Sequence, residues 1–112
     1  MLEKMYRGLT SQDISELFDK KTARSLSNSF FRVNWMKSAS PFPKFAVIVT
    51  PNIHKSAVRR NSLRRAIYEI IRLNFKDWTQ GLRVAILVKK SALDCPYGIL
   101  QEKLLSLLLT LH

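Results

Sequence analysis

Two apolar, β-branched runs, FAVIVT at residues 45–50 and LRVAILV at residues 82–88, stand either side of one long stretch whose apolar residues recur at helical spacing. This arrangement constrains the fold more than any other feature of the chain. A strand that is apolar along its whole length suits a sheet covered on both faces. Two such strands around a helix read as a βαβ unit, because parallel neighbours need a crossover of a dozen or more residues. Pro51 and Asn52 end the first run, and Gly81 marks the turn before the second.

The flanking sequence supplies the remaining elements. Thr10-Ser11-Gln12-Asp13 reads as a helix start with Thr10 or Ser11 as N-cap, and Ile14, Leu17 and Phe18 follow on one face. SFFRVNWMK, residues 29–37, alternates as a strand does, with Phe31, Val33 and Trp35 on one side and Phe30, Arg32, Asn34 and Met36 on the other. Which of those sides meets the core, the pattern leaves open. SASPFPK is a turn, since two prolines flank Phe42. Asp94-Cys95-Pro96 punctuates the chain before a terminal helix from about Tyr97 to Leu111. The order is α, β, β, α, β, α, with a further short strand near residues 25–29. It predicts a single α/β domain over residues 1–112, a sandwich of helices on a central sheet, and 112 residues support one core and not two.

Charge is the second constraint. Between Asp19 and Glu69 there is no acidic residue, while eleven of the 19 lysines and arginines fall there; the other eight cancel the eight acids, so this stretch holds the whole net charge of +11. Self-repulsion on that scale calls for a polyanionic partner, and nucleic acid is the foremost. Much of the charge lies on the helix between the two apolar strands, SAVRRNSLRRAIYEIIR at residues 56–72. At about 100° per residue, Leu63, Ala66, Ile67, Ile70 and Ile71 share one arc, and Asn61, Arg64, Arg65, Tyr68 and Arg72 share the opposite one. The helix is thus anchored along one side and offers a basic comb on the other. A merely solvated face normally mixes charge signs to gain i,i+4 pairs. Here Glu69 is the one acid, within reach of Arg65, which leaves Arg60, Arg64 and Arg72 without an intrahelical acid. Tyr68 adds a ring suited to stacking on a base or to covering arginine stems.

Catalytic constellations are missing from the sequence. His54 and His112 are the only histidines, no Gly-rich phosphate loop occurs, and the eight acids lack metal-ligand spacing. Cys95 is alone, which leaves no intramolecular disulfide and no cysteine metal cluster. The N-terminus lacks the apolar core of a signal peptide, and ILQEKLLSLLLTLH is too short for a membrane span of about 20 apolar residues. The expected setting is cytoplasmic, with no membrane and no small-molecule substrate.

At AVRRNSLRRAIYE, residues 57–69, the spelling becomes specific: Ala57, Arg60, Asn61, Arg64 and Arg65 resemble the A..RN..(K/R)R signature of the bacterial ribonuclease P protein component. LTSQDISELFDK is similar to that family's N-terminal helix, FAVIVT to the strand before the signature, and GLRVAILVKKSA to the strand after it. The resemblance implies a protein that is not itself the catalyst. An RNA subunit with bound magnesium hydrolyses the phosphodiester joining the 5′ leader to precursor tRNA, and the protein docks beside its active site. Arg60, Asn61, Arg64 and Arg65, with Tyr68 and Arg72 on the same comb, are then the residues facing the catalytic RNA. Phe18, Phe31 and Lys55 are those facing the leader, in a cleft between the N-terminal helix and the sheet; Phe18 reads equally as a core neighbour of Ile14 and Leu17. The family's βαβ crossover is left-handed, against a rule obeyed in about 98% of such units.

Five positions depart from the family pattern. Ser62 and Tyr68 stand where arginines are common, Pro51 and Asn52 where two lysines are usual, and Ile14 where phenylalanine is typical. These departures thin out the basic and aromatic equipment near the cleft more than that of the comb. Another basic RNA-binding module, such as a ribosomal or assembly protein, is the competing reading. A DNA-binding domain is the third, and no coiled-coil seam for a dimeric half-site reader is present.

Overall fold

A computed structural model describes residues 15–19, 23–38, 43–53, 55–75, 81–93 and 95–110. Its elements are β1 (Arg24–Ser27), β2 (Phe31–Lys37), β3 (Lys44–Ile48), α1 (Ala57–Phe75), β4 (Leu82–Val88), a 3-10 turn (Lys90–Ala92) and α2 (Tyr97–Leu108). A helical turn at residues 15–17 precedes them. The expected helix start at Thr10–Asp13 and Ile14 lie outside the described residues.

The four strands form one sheet in the order β1-β2-β4-β3. β1 pairs antiparallel with β2, β2 antiparallel with β4, and β3 parallel with β4. The two apolar runs are therefore parallel neighbours joined by α1, as their composition predicts. Their burial differs from the expectation. β4 lies between two strands and is buried at five of its seven positions, whereas β3 is an edge strand with only alternate residues fully buried. Phe45, Val47 and, just beyond the strand, Val49 point to the core, while Ala46 and Ile48 are half-buried.

The β2 register resolves the ambiguity left by its alternation. Val33 lies opposite Ile86, Trp35 opposite Val84 and Phe31 opposite Val88. These residues, with Phe45 and Val47, form one sheet face, against which Ile67, Ile70 and Ile71 of α1 and Leu100, Leu104, Leu107 and Leu108 of α2 pack in a continuous cluster. Burying each such side chain is worth about 1.5–3 kcal/mol, so this face dominates stability. Both helices thus cover the same side of the sheet. The other side carries Arg32, Asn34, Arg83 and Ala85. The segment at residues 15–19 is tied to that side by Glu16, whose Oε2 accepts from Arg83 Nη1 at 2.8 Å, while Leu17 beside it is 1% exposed.

An asparagine and a serine set local geometry. Asn28 Oδ1 accepts from the backbone N–H of Phe30 and of Phe31, at 2.8 and 2.9 Å, which closes the β1–β2 turn. Ser56 caps α1, its Oγ accepting from the Arg59 N–H at 3.3 Å.

Candidate nucleic-acid interface

The α1 side chains divide as the helical angle requires. Ile67, Ile70 and Ile71 are fully buried, and the exposed positions include Val58, Arg59, Asn61, Ser62 and Arg65. Arg60, Arg64, Tyr68 and Arg72 lie at the margins and are half-buried. The predicted comb is therefore present on one helix face, but its members are not equivalent.

Arg64 and Arg65 make no hydrogen bond or ion pair with any described residue. Arg60 donates from Nη1 to the Lys55 carbonyl at 3.1 Å, folding its head back over the loop before the helix. Lys55 is itself exposed. Arg72, expected to lack an acid, takes Glu69 in place of Arg65. Its Nε donates to Glu69 Oε2 at 3.1 Å and its Nη2 to Oε1, a bidentate i,i+3 pair. The Arg72 guanidinium holds the Glu69 carboxyl well below the usual carboxylate range, at about 2. Both Arg72 and Glu69 are half-buried, where the planar fork grips the carboxylate at two points, while Arg65 is exposed.

Tyr68 is also corrected. Its hydroxyl accepts from the Val47 N–H at 3.2 Å, and its ring packs against the core cluster. That bond covers an outward N–H of edge strand β3, which would otherwise be open to strand pairing. The ring is thus spent on the sheet edge and does not stand in the middle of the comb.

Positive charge gathers at the N-terminal end of α1. Its first turn holds no acid, and Arg59 and Arg60 lie there, at the positive end of the helix dipole.

The second candidate surface lies across the sheet. A small cavity of about 50 Å3 is lined by Leu17, Phe18, Asp19, Ser25, Arg32 and Asn34, among others. Phe18 is 45% exposed at its edge, so it is not a core residue like Leu17. Arg32 is exposed and donates from Nε to Ser25 Oγ at 3.2 Å. Phe31, proposed from the sequence for the same cleft, is fully buried on the opposite face of the sheet and is withdrawn from it. Asn34, to which the sequence pattern gives no role, takes its place: the residue is 4% exposed, and its buried Oδ1 meets no hydrogen-bond donor among the described residues. The signal was the pair Arg32 and Asn34 on one phase of an otherwise apolar strand.

Among the described residues no three of His, Cys, Asp and Glu gather as a metal site, and no helix is long and apolar enough to cross a membrane. His54 and His112 lie outside the described residues.

Comparison with known proteins gives one answer throughout. The family model described as Ribonuclease P matches residues 2–112. The chain is 42% identical over 50 residues to a ribonuclease P protein component of Finegoldia magna, a match covering 45% of this chain and 44% of that protein. It is 29% identical over 92 residues to the corresponding protein of Thermotoga maritima, covering 79% of this chain and 78% of that one. The solved structure of the Thermotoga maritima RNase P protein superimposes with a TM-score of 0.81 at 27% identity, over 90% of this chain and 93% of that one.

Proposed function

Because this chain belongs to the ribonuclease P protein family, we propose that α1 docks on the catalytic RNA while the cleft beside Phe18 and Asn34 receives the 5′ leader of precursor tRNA. Membership makes it a protein component of a tRNA-processing ribonucleoprotein. In this reading the hydrolysis belongs to the RNA and its magnesium. The protein contributes charge, shape and position.

One observation carries the reading: Arg64 and Arg65, both signature residues, leave the core side of α1 with no acid or acceptor to meet among the described residues, in a chain of net charge +11. Arg59 and Arg60 lie in the first turn, at the positive end of the helix dipole, where a phosphate is favoured. The leader side is supported by an exposed ring at Phe18, by the cation Arg32, and by the buried Asn34 acceptor, which meets no donor among the described residues. Leaving such an acceptor unmet costs about 1–3 kcal/mol.

The test is the double variant Arg64→Ala/Arg65→Ala, titrated with a bacterial-type ribonuclease P RNA across a range of salt. The slope of log K against log salt should flatten by up to about 0.7–0.9 for each phosphate that the variant no longer neutralises. Thermal melting should be unchanged, since neither side chain enters the core cluster. An unchanged salt slope would mean that the basic face is only solvated.

A further inference from the structure

Beside the basic face, α1 and α2 enclose a groove of about 260 Å3 that the comb does not use. Leu63 and Leu100 form part of its apolar wall, Tyr97 stands at its mouth, and Arg59 and Ser62 edge it on the α1 side. Tyr97 is 45% exposed, a large ring left in water at the first position of α2. The groove is slightly smaller than the ~300 Å3 at which ligand pockets usually begin. It suits a single planar ring system better than a larger molecule.

We propose that this groove takes one unstacked nucleobase of the catalytic RNA, laid against the Tyr97 ring with its phosphate toward Arg59. The inference rests on the preceding reading of α1 as the RNA-docking helix. Three observations point to a nucleotide of that RNA and not to another occupant. Ser62 follows Asn61 in the chain and also lines a second concavity together with Asn61 and Arg65, so RNA on the comb passes the groove mouth. An apolar wall with a ring and a cation at its edge matches a base and its phosphate, and sequence-specific RNA recognition commonly splays bases onto such rings. Lastly, both helices lie on the sheet face opposite Arg32 and Asn34, which separates the groove from the leader cleft by the thickness of the sheet.

Cys95 lines the same groove and is the only cysteine of the chain, which makes it a reporter. Burial pushes its thiol up, so labelling is best run at mildly alkaline pH. The experiment follows N-ethylmaleimide modification of Cys95 by mass, for the protein alone, with a bacterial-type ribonuclease P RNA, and with precursor tRNA alone. It pairs this with the affinity of Tyr97→Ala and Tyr97→Phe for the ribonuclease P RNA. Expected are slowed labelling with the ribonuclease P RNA and not with precursor tRNA, affinity roughly five- to a hundred-fold weaker for Tyr97→Ala, and near wild-type affinity for Tyr97→Phe. Unprotected Cys95, or protection with Tyr97→Ala binding normally, overturns the proposal. So does protection that grows with protein concentration in the absence of RNA, which would assign the groove to a second copy of the chain. If Tyr97→Ala binds normally while Arg64→Ala/Arg65→Ala does not, the groove fails and the docking helix stands; if neither variant weakens binding, the docking helix fails as well.

Discussion

Asn28 shows how much one side chain can fix in a small domain. Its Oδ1 closes the β1–β2 turn, its Nδ2 donates to the Lys103 carbonyl of α2 at 2.9 Å, and its own carbonyl accepts from Lys89 Nζ at 2.7 Å. Turn, helix and the end of β4 therefore meet on one residue 75 positions from its partner in α2. Asn28→Ala removes three side-chain bonds, each worth about 0.5–1.5 kcal/mol net, so the urea midpoint should fall by the equivalent of about 1.5–4.5 kcal/mol with an unchanged m-value. Glu69 sets a different residue-scale limit, because it neutralises one member of the comb. Its folded pKa of about 2 lies below the ordinary 4.5. The stabilisation from its pairing with Arg72 is therefore fully present above pH 4.5 and is lost as pH falls toward 2. Glu69→Gln should flatten the acid limb of the stability curve in that window, and should also release Arg72 to phosphate. The second effect is measured as a salt slope for RNA binding steeper by up to about 0.7–0.9.

At the scale of elements, α1 shows what a sequence can and cannot disclose. Its apolar arc and basic arc follow from the 3.6-residue period, so the anchored side and the offered side were both legible. The partners along the margins were not, because they depend on the strand that the helix crosses. Tyr68 looked like part of the comb by angle alone; only β3 as an edge strand, with its Val47 N–H pointing outward, gives the hydroxyl another task. The same strand misled by composition. FAVIVT is apolar enough for a central position, yet β4 holds that place, since pairing with β2 and β3 is a long-range choice that neither run encodes by itself. For β2, alternation identified two faces without ranking them, and the cross-strand register with Val84, Ile86 and Val88 decided it. The edge role is testable: Tyr68→Phe keeps the ring and removes the acceptor, so stability should drop by about 1 kcal/mol in chemical denaturation while affinity for the ribonuclease P RNA stays unchanged. Weaker RNA affinity in that variant would return Tyr68 to the comb.

Across the whole molecule, one sheet separates two surfaces. Its helical side presents α1 with Arg64 and Arg65, and its other side presents the cavity of Phe18, Arg32 and Asn34. A protein so divided can touch two RNAs at once without either competing for the same side chains. The opposite sides also make the two surfaces separable by mutation. The cavity side, proposed to receive the leader, has less charge than the helical side, so in that reading stacking supplies much of the grip; one base on a ring is worth roughly 1–3 kcal/mol and tolerates any sequence. Phe18 is the ring for this, being 45% exposed next to a Leu17 that is 1% exposed. Leucine approximately preserves its volume, so Phe18→Leu should leave folding nearly intact. The measurement compares precursor tRNA with a leader of several nucleotides against one with a single nucleotide, each bound to holoenzyme carrying wild-type protein or Phe18→Leu. The wild-type holoenzyme should favour the long leader, and the variant should lose roughly five-fold or more of that advantage while affinity for the ribonuclease P RNA is unchanged. If leader length has no effect with the wild-type protein, the cavity holds no leader, and the protein acts on the RNA through α1 alone.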